Sequence, residues 1–216
     1  WHLSLGIDEN HYRFHDHIKL AHYSNAAWDI EFNFAMWFKE LEGIHSRTDF
    51  DLKQHEKHSG KKLQYFDPEI NQNYVPYVVE TSIGLDRTFL AILSAAYKEE
   101  QLEDGSERTV LKIPTFLAPY KVAVLPLIKK DGLPEKAREI MDLLKWNYNC
   151  QYDEKDSVGK RYRRQDAIGT PFCITVDHDT LQDQKVTVRD RDTMQQERVA
   201  ISDLESLIRK KMQPSK

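Results

Sequence analysis

The sequence predicts an α+β region followed by an α/β region, and three observations carry that expectation. Residues 28–44 alternate apolar and polar side chains, the period of half-buried antiparallel strands. Residues 85–97 place apolar side chains at helical spacing directly after a strand that ends at Gly84. Beyond an acidic Gly-Ser turn, strands and amphipathic helices alternate as in a mixed α/β domain. That turn sets the expected domain boundary, giving 1–105 and 106–216.

Composition narrows the class. A chain of 216 residues with 40% hydrophobic side chains suits one large or two small domains with packed cores. A net charge of −4 excludes a protein that coats nucleic acid by bulk charge, so any RNA contact must come from a local patch. No apolar run approaches the ~20 residues of a membrane span. Cys150 and Cys173 lie far apart with no Cys-x-x-Cys spacing, which suits core thiols in a reducing compartment and a cytoplasmic location. The chain opens on Trp1, straight into aromatic-rich sequence, and reads as a fragment.

Residues 3–10 form a short segment around Gly6, and His11, His15, His17 and His22 follow closely. Such spacings can bring imidazoles together, yet no cysteine joins them and no ligand set emerges, so no metal site is assigned. Residues 28–34 read as a strand with Asp29, Glu31 and Asn33 on the face opposite Trp28, Ile30, Phe32 and Phe34. Residues 38–44 read as its antiparallel partner, with Glu40 and Glu42 on one face. Pairing in register then gathers the acids of both strands on one side, which is either solvated or holds a cation or polar ligand. A polar helical or flexible excursion is expected over 53–62, a short strand over 63–66, a turn at Asp67-Pro68-Glu69, and a return to the sheet at Val75-Pro76-Tyr77.

The chemistry is expected in Val78-Val79-Glu80-Thr81-Ser82-Ile83-Gly84-Leu85-Asp86-Arg87. Glu80 and Ser82 stand two apart on a strand and so share a face. Gly84 ends that strand, which puts Asp86 and Arg87 in the first turn of the following helix. A cation there opposes the helix dipole by roughly 0.3–1 kcal/mol, so a negative partner such as a phosphate is expected. The plainer outcome is a surface pair between Glu80 and Arg87.

In the second region, 122–127 reads as a buried strand and 134–146 as an amphipathic helix with Pro134 near its start. A strand at 148–152, a helix at 157–167, strands at 172–176, 185–191 and 198–201, and a helix at 203–212 follow. Lys160, Arg161, Arg163 and Arg164 gather around Tyr162 on one helix. They form either an RNA-backbone contact with a stacking aromatic or a solvated basic face. The run Arg189-Asp190-Arg191-Asp192 is equally open.

The stretch 78–87 resembles motif 3 of the class II aminoacyl-tRNA synthetases, and its Glu-x-Ser before Gly-x-Asp-Arg is similar to the glycyl members. Glu40-Leu41-Glu42-Gly43-Ile44-His45-Ser46-Arg47-Thr48-Asp49-Phe50-Asp51-Leu52 resembles the segment those members carry between motifs 2 and 3. Gly159-Lys160-Arg161-Tyr162-Arg163-Arg164-Gln165-Asp166-Ala167-Ile168-Gly169-Thr170-Pro171-Phe172 resembles the anticodon-binding domain shared by the glycyl, threonyl, prolyl and histidyl enzymes. The resemblance implies the back half of a class II antiparallel-sheet catalytic domain followed by a mixed-sheet α/β anticodon-binding domain. It also implies ATP-dependent activation of glycine to glycyl-adenylate and transfer to tRNA(Gly).

Carried over by position, the resemblance places Glu80, Thr81, Ser82, Ile83 and Gly84 around glycine, with Glu80 on its ammonium and Arg47 near the substrate. ATP would meet Glu40, Leu41, Gly84, Leu85, Asp86 and Arg87, with Glu40 toward Mg2+ or ribose and Arg87 on the γ-phosphate. Lys160, Arg161, Arg163 and Arg164 would contact tRNA, and the full-length parent would be a homodimer. Nothing in the sequence resembles motif 1, which builds the dimer interface, or motif 2, whose arginine grips the α-phosphate. The 216 residues alone are therefore expected to be inactive. Trp37 stands where the family usually has glycine, which puts the strand register there in question. Two alternatives stay open: another class II synthetase with the same anticodon domain, and a noncatalytic tRNA-binding protein built from synthetase parts.

Overall fold

The computed structural model describes residues 1–213 and falls into two compact units, Ile7–Ser94 and Trp1–Gly6 together with the chain from Ala95 onward. The first contains β1 (Tyr12–Asp16), β2 (Ala26–Phe34), β3 (Trp37–Ser46), α1 (Phe50–Ser59), β4 (Tyr65–Asp67), β5 (Gln72–Tyr74), β6 (Val79–Ile83) and α2 (Leu85–Ala96). Its main sheet is antiparallel in the order β1-β2-β3-β6, and β4 pairs with β5 as a separate hairpin. Sequence patterning gave no signal for β1, because all but its first residue are exposed. Val75-Pro76-Tyr77, expected to be strand, lies outside it; Pro76 has no N–H to pair, and β6 begins only at Val79.

A bulge corrects the expected acidic face. Ile30 pairs with Glu42, but the next pair is Glu31 with Glu40, so Leu41 is extra on β3. Glu40 therefore sides with Glu31, while Glu42 sides with Ile30 and Ile83, and the two β3 acids part. The expected inside and outside of β2 also exchange near its start: Asp29 is only 8% exposed and Trp28 is 40% exposed. In the hairpin turn, Trp37 takes a φ of 87°, a conformation that glycine adopts freely. Register survives on both sides of it, from Phe34 opposite Trp37 to Phe32 opposite Lys39.

In the second unit, β7 (Tyr97–Gln101) and β8 (Glu107–Leu111) form a hairpin, so position 105 lies in its turn rather than between units. Then come β9 (Val122–Pro126), α3 (Leu133–Leu144), β10 (Cys150–Tyr152), α4 (Val158–Ile168), β11 (Phe172–Val176), α5 (Thr180–Asp183), β12 (Lys185–Asp190), β13 (Gln196–Ala200) and α6 (Leu204–Lys211). They build a mixed sheet in the order β10-β9-β11-β12-β13, parallel at β10-β9-β11 and antiparallel beyond. All five residues of β9 and of β11 are buried, so both read as mainly apolar runs, with Thr175 the polar exception in β11. Leu133, Ala137, Ile140 and Leu144 of α3 join Leu204 and Ile208 of α6 in the main core. Burial pushes the Cys173 thiol up to about 12 and the Cys150 thiol up to about 11, so both stay protonated near neutral pH.

Candidate functional site

Arg47 is the most heavily tethered side chain of the first unit. Its Nε donates to Asp51 Oδ2 at 2.5 Å, its Nη2 to Asp51 Oδ1 at 3.1 Å, and its Nη1 lies 2.9 Å from Glu80 Oε2. Tyr23 lies beneath the guanidinium, 4.2 Å from it. The hydrogen bond from Arg47 holds the Asp51 carboxyl below the usual carboxylate range. Asp51 sits in the first turn of α1, where a carboxylate also suits the helix dipole. Thr48, just after Arg47, has a φ of 56°, and backbone bonds with Val78 on either side of it (Arg47 N to Val78 O, Val78 N to Thr48 O, each 2.9 Å) hold the corner.

Glu80 and Ser82 project from one face of β6, as expected, but Glu80 pairs with Arg47 and not with Arg87. Opposite Ser82 on β3 is Gly43, and opposite Gly43 on β2 is Asp29. Arg87 donates from Nη1 to the Glu40 carbonyl at 2.8 Å and lies 3.8 Å from Glu40 Oε2, so its negative company in the free protein is Glu40. Leu41 is buried, whereas Leu85 and Asp86 at the start of α2 are exposed. Beside Glu40 and Arg87 opens an apolar cavity of about 510 Å³ lined by Phe34, Met36, Lys39 and Leu90, a volume suited to a small ligand.

Patterning missed Asp51, Tyr23 and the link of His17 to Asp29, in which Nε2 and Oδ2 are 2.8 Å apart. The tethered arginine explains Asp51, since a carboxylate four residues on in a helical turn reaches back to it; that spacing was present in the sequence. The other three of the four clustered histidines have ring neighbours: His11 stacks on Phe32, His15 meets the His17 ring, and His22 packs against Tyr23 and Phe50.

The basic helix α4 of the second unit divides its four cations. Arg161 is 2% exposed and donates to the carbonyls of Pro126, Lys155 and Asp156. Arg164 bonds Asp153, Asp156 and the Lys155 carbonyl, which fixes the loop after β10. Lys160 is exposed, and Arg163 is partly exposed with Asp166 3.8 Å away. Tyr162 turns inward, its hydroxyl 2.6 Å from Thr175 Oγ1 and its ring under Arg189, so it is part of the packing. Arg189 and Arg191 are also interior: Arg189 makes two bonds to Asp166, and Arg191 donates to Gly169 O and Asp192.

Comparison with known proteins adds the following. A family model described as an anticodon binding domain matches residues 121–211. A glycine–tRNA ligase of Chlorobaculum tepidum is 54% identical over 186 residues, 86% of this chain and 39% of that protein. The glycine–tRNA ligase of Geobacillus thermodenitrificans is 56% identical over 192 residues, 88% of this chain and 41% of the relative. That of Bacillus cereus is 54% identical over 215 residues, 99% of this chain and 46% of the relative. The chain thus spans less than half the length of these relatives.

Proposed function

We propose that the chain is part of a longer glycine–tRNA ligase, in which its first unit supplies the back half of a catalytic domain and residues 121–211 lie in the anticodon-binding domain. The reaction is attack of a glycine carboxylate oxygen on the α-phosphorus of ATP. An oxygen–phosphorus bond forms, the bond from that phosphorus to the pyrophosphate oxygen breaks, and glycyl-adenylate results. A hydroxyl of tRNA(Gly) then takes the glycyl group and AMP leaves. Positioning and charge neutralisation carry both steps.

The observation that carries this reading is the tether on Arg47. Asp51, Tyr23 and Glu80 hold a guanidinium rigidly, and Glu80 shares its strand face with Ser82, the face where a small zwitterion would sit. In that arrangement Glu80 takes the ammonium, Ser82 adds a hydroxyl, and Thr81, Ile83 and Gly84 supply the strand that frames the substrate. Arg47 offsets charge forming on the carboxylate. ATP occupies the side of Glu40, Leu41, Leu85 and Asp86, where Arg87 exchanges its Glu40 carbonyl for the γ-phosphate, a better match for its fork.

Among the described residues no three His, Cys, Asp or Glu groups converge as a metal site. Mg2+ in this reading arrives on the ATP phosphates as part of the substrate, and Glu40 can lend it one oxygen. On the second unit, Lys160 and Arg163 meet the tRNA backbone, while Arg161 and Arg164 shape the loop beneath them. A cytoplasmic homodimer of the longer ligase belongs to the same proposal.

Glycine-dependent ATP–pyrophosphate exchange tests the reading. A protein of the relatives' length carrying this chain exchanges with glycine, Glu80→Gln in it lowers kcat/KM for glycine about a hundredfold, and the 216 residues alone give no signal. Exchange by the isolated chain, or an unimpaired Glu80→Gln variant, contradicts the assignment.

A further inference from the structure

We infer that Asp29 and Gly43 are part of the amino-acid pocket: Asp29 offers a second carboxylate oxygen to the substrate ammonium, and Gly43 leaves room for the His45 ring that borders the site. This deepens the glycine reading above and rests on it.

The register sets the geometry. Asp29 on β2, Gly43 on β3 and Ser82 on β6 lie in one row across three neighbouring strands, so their side chains belong to one face. Adjacent strands lie about 4.7–4.9 Å apart, which separates the Asp29 and Ser82 backbones by about 10 Å. The middle residue is glycine, and the His45 ring lies over it: a methyl group at position 43 would come 2.8 Å from His45 Cε1 and 3.6 Å from Asp29 Oδ1. His45 stands opposite Glu80 on β6, so its ring lies on the side of this row toward Glu80.

Asp29 is 8% exposed, and its two oxygens have different company. Oδ2 is held by His17 Nε2 at 2.8 Å. Oδ1 is turned over Gly43 and has no hydrogen-bond partner among the described residues. A carboxylate oxygen left without a partner on a largely buried residue calls for a cationic or hydrogen-bond-donating ligand.

The charge balance points to an ammonium. Glu80, the first carboxylate on this face, lies 2.9 Å from Arg47, and Arg47 is shared with Asp51. An ammonium approaching Glu80 also feels the repulsion of that guanidinium. Asp29 stands on the far side of Gly43 with only an imidazole attached, and so offsets that repulsion. His17 fixes the orientation, keeping Oδ1 turned toward Gly43.

The experiment uses a protein of the relatives' length carrying this chain and measures ATP–pyrophosphate exchange with varied glycine and varied ATP, together with thermal unfolding. Asp29→Asn keeps the shape and a bond to His17 while removing the charge; it raises the glycine KM about tenfold or more and leaves the ATP KM within about twofold. Gly43→Ala displaces the His45 ring that lies over position 43 and gives the same split, so a misfolded first variant does not end the test. An unchanged glycine KM in folded Asp29→Asn overturns the inference. So does a parallel rise in both KM values, which marks a structural role. If the unsubstituted protein shows no glycine-dependent exchange, the underlying reading falls and takes the inference with it, whereas normal exchange with an indifferent Asp29 removes the inference alone.

Discussion

At the scale of single residues, Trp37 shows how a backbone requirement can be met by the wrong side chain. Its φ of 87° costs a residue with a Cβ about 1–2 kcal/mol, and its ring is 67% exposed, with an edge contact to Phe38 as its aromatic partner. Glycine at this position removes that strain at an unfolded-state entropy cost of about 0.5–1 kcal/mol. Trp37→Gly therefore raises the melting temperature by about 2–4 °C in thermal unfolding, and a lower value contradicts the strain argument. The resemblance marked this position as unusual, but only the backbone gives the physical reason. Arg47 and Glu80 were legible as candidates. Their mutual pairing was not, because sequence spacing alone suggested Arg87 as the partner of Glu80.

At the scale of elements, α4 is basic for two reasons that patterning merges. One set of cations serves the interior. Asp166 has no exposure and receives two bonds from Arg189 and one from Arg108, which itself reaches Glu100 and the Arg191 carbonyl. Removing one charge from such a group leaves the others buried and uncompensated. Asp166→Asn consequently destabilises the fold by about 3–5 kcal/mol in denaturant unfolding, where a loss under about 1 kcal/mol refutes the buried-network account. The other set, Lys160 and Arg163, faces outward. Replacing both with Ala weakens tRNA binding and makes the slope of log affinity against log salt shallower by about one for each phosphate that is no longer neutralised; an unchanged slope places the RNA elsewhere. Charge counting finds such a helix but cannot sort its faces, since burial depends on β8, β11 and β12, which are distant in sequence. The β7–β8 hairpin escaped for a related reason. Its polar, acidic sequence resembles a linker, and only pairing from Tyr97 with Leu111 to Gln101 with Glu107 makes it a strand pair.

At the scale of the whole molecule, the two units differ in how fully the sequence discloses them. The second has a continuous apolar core, and its order of strands and helices follows directly from runs of buried residues such as Val122–Pro126 and Phe172–Val176. In the first, antiparallel pairing was legible from alternation, but the bulge at Leu41 reassigned Glu42, and Asp29, expected on the polar face, is buried. A single-residue register shift exchanges faces while leaving the sequence pattern nearly unchanged. That first unit also leaves Phe14, Val79, Leu85 and Phe89 exposed, in a chain that spans less than half the length of its relatives. Attachment of amino acids to tRNA by a protein of the relatives' length carrying this chain tests the central claim most directly. The account predicts that glycine alone is attached, and only to tRNA(Gly). Attachment of a different amino acid, or tRNA binding without any attachment, would contradict it.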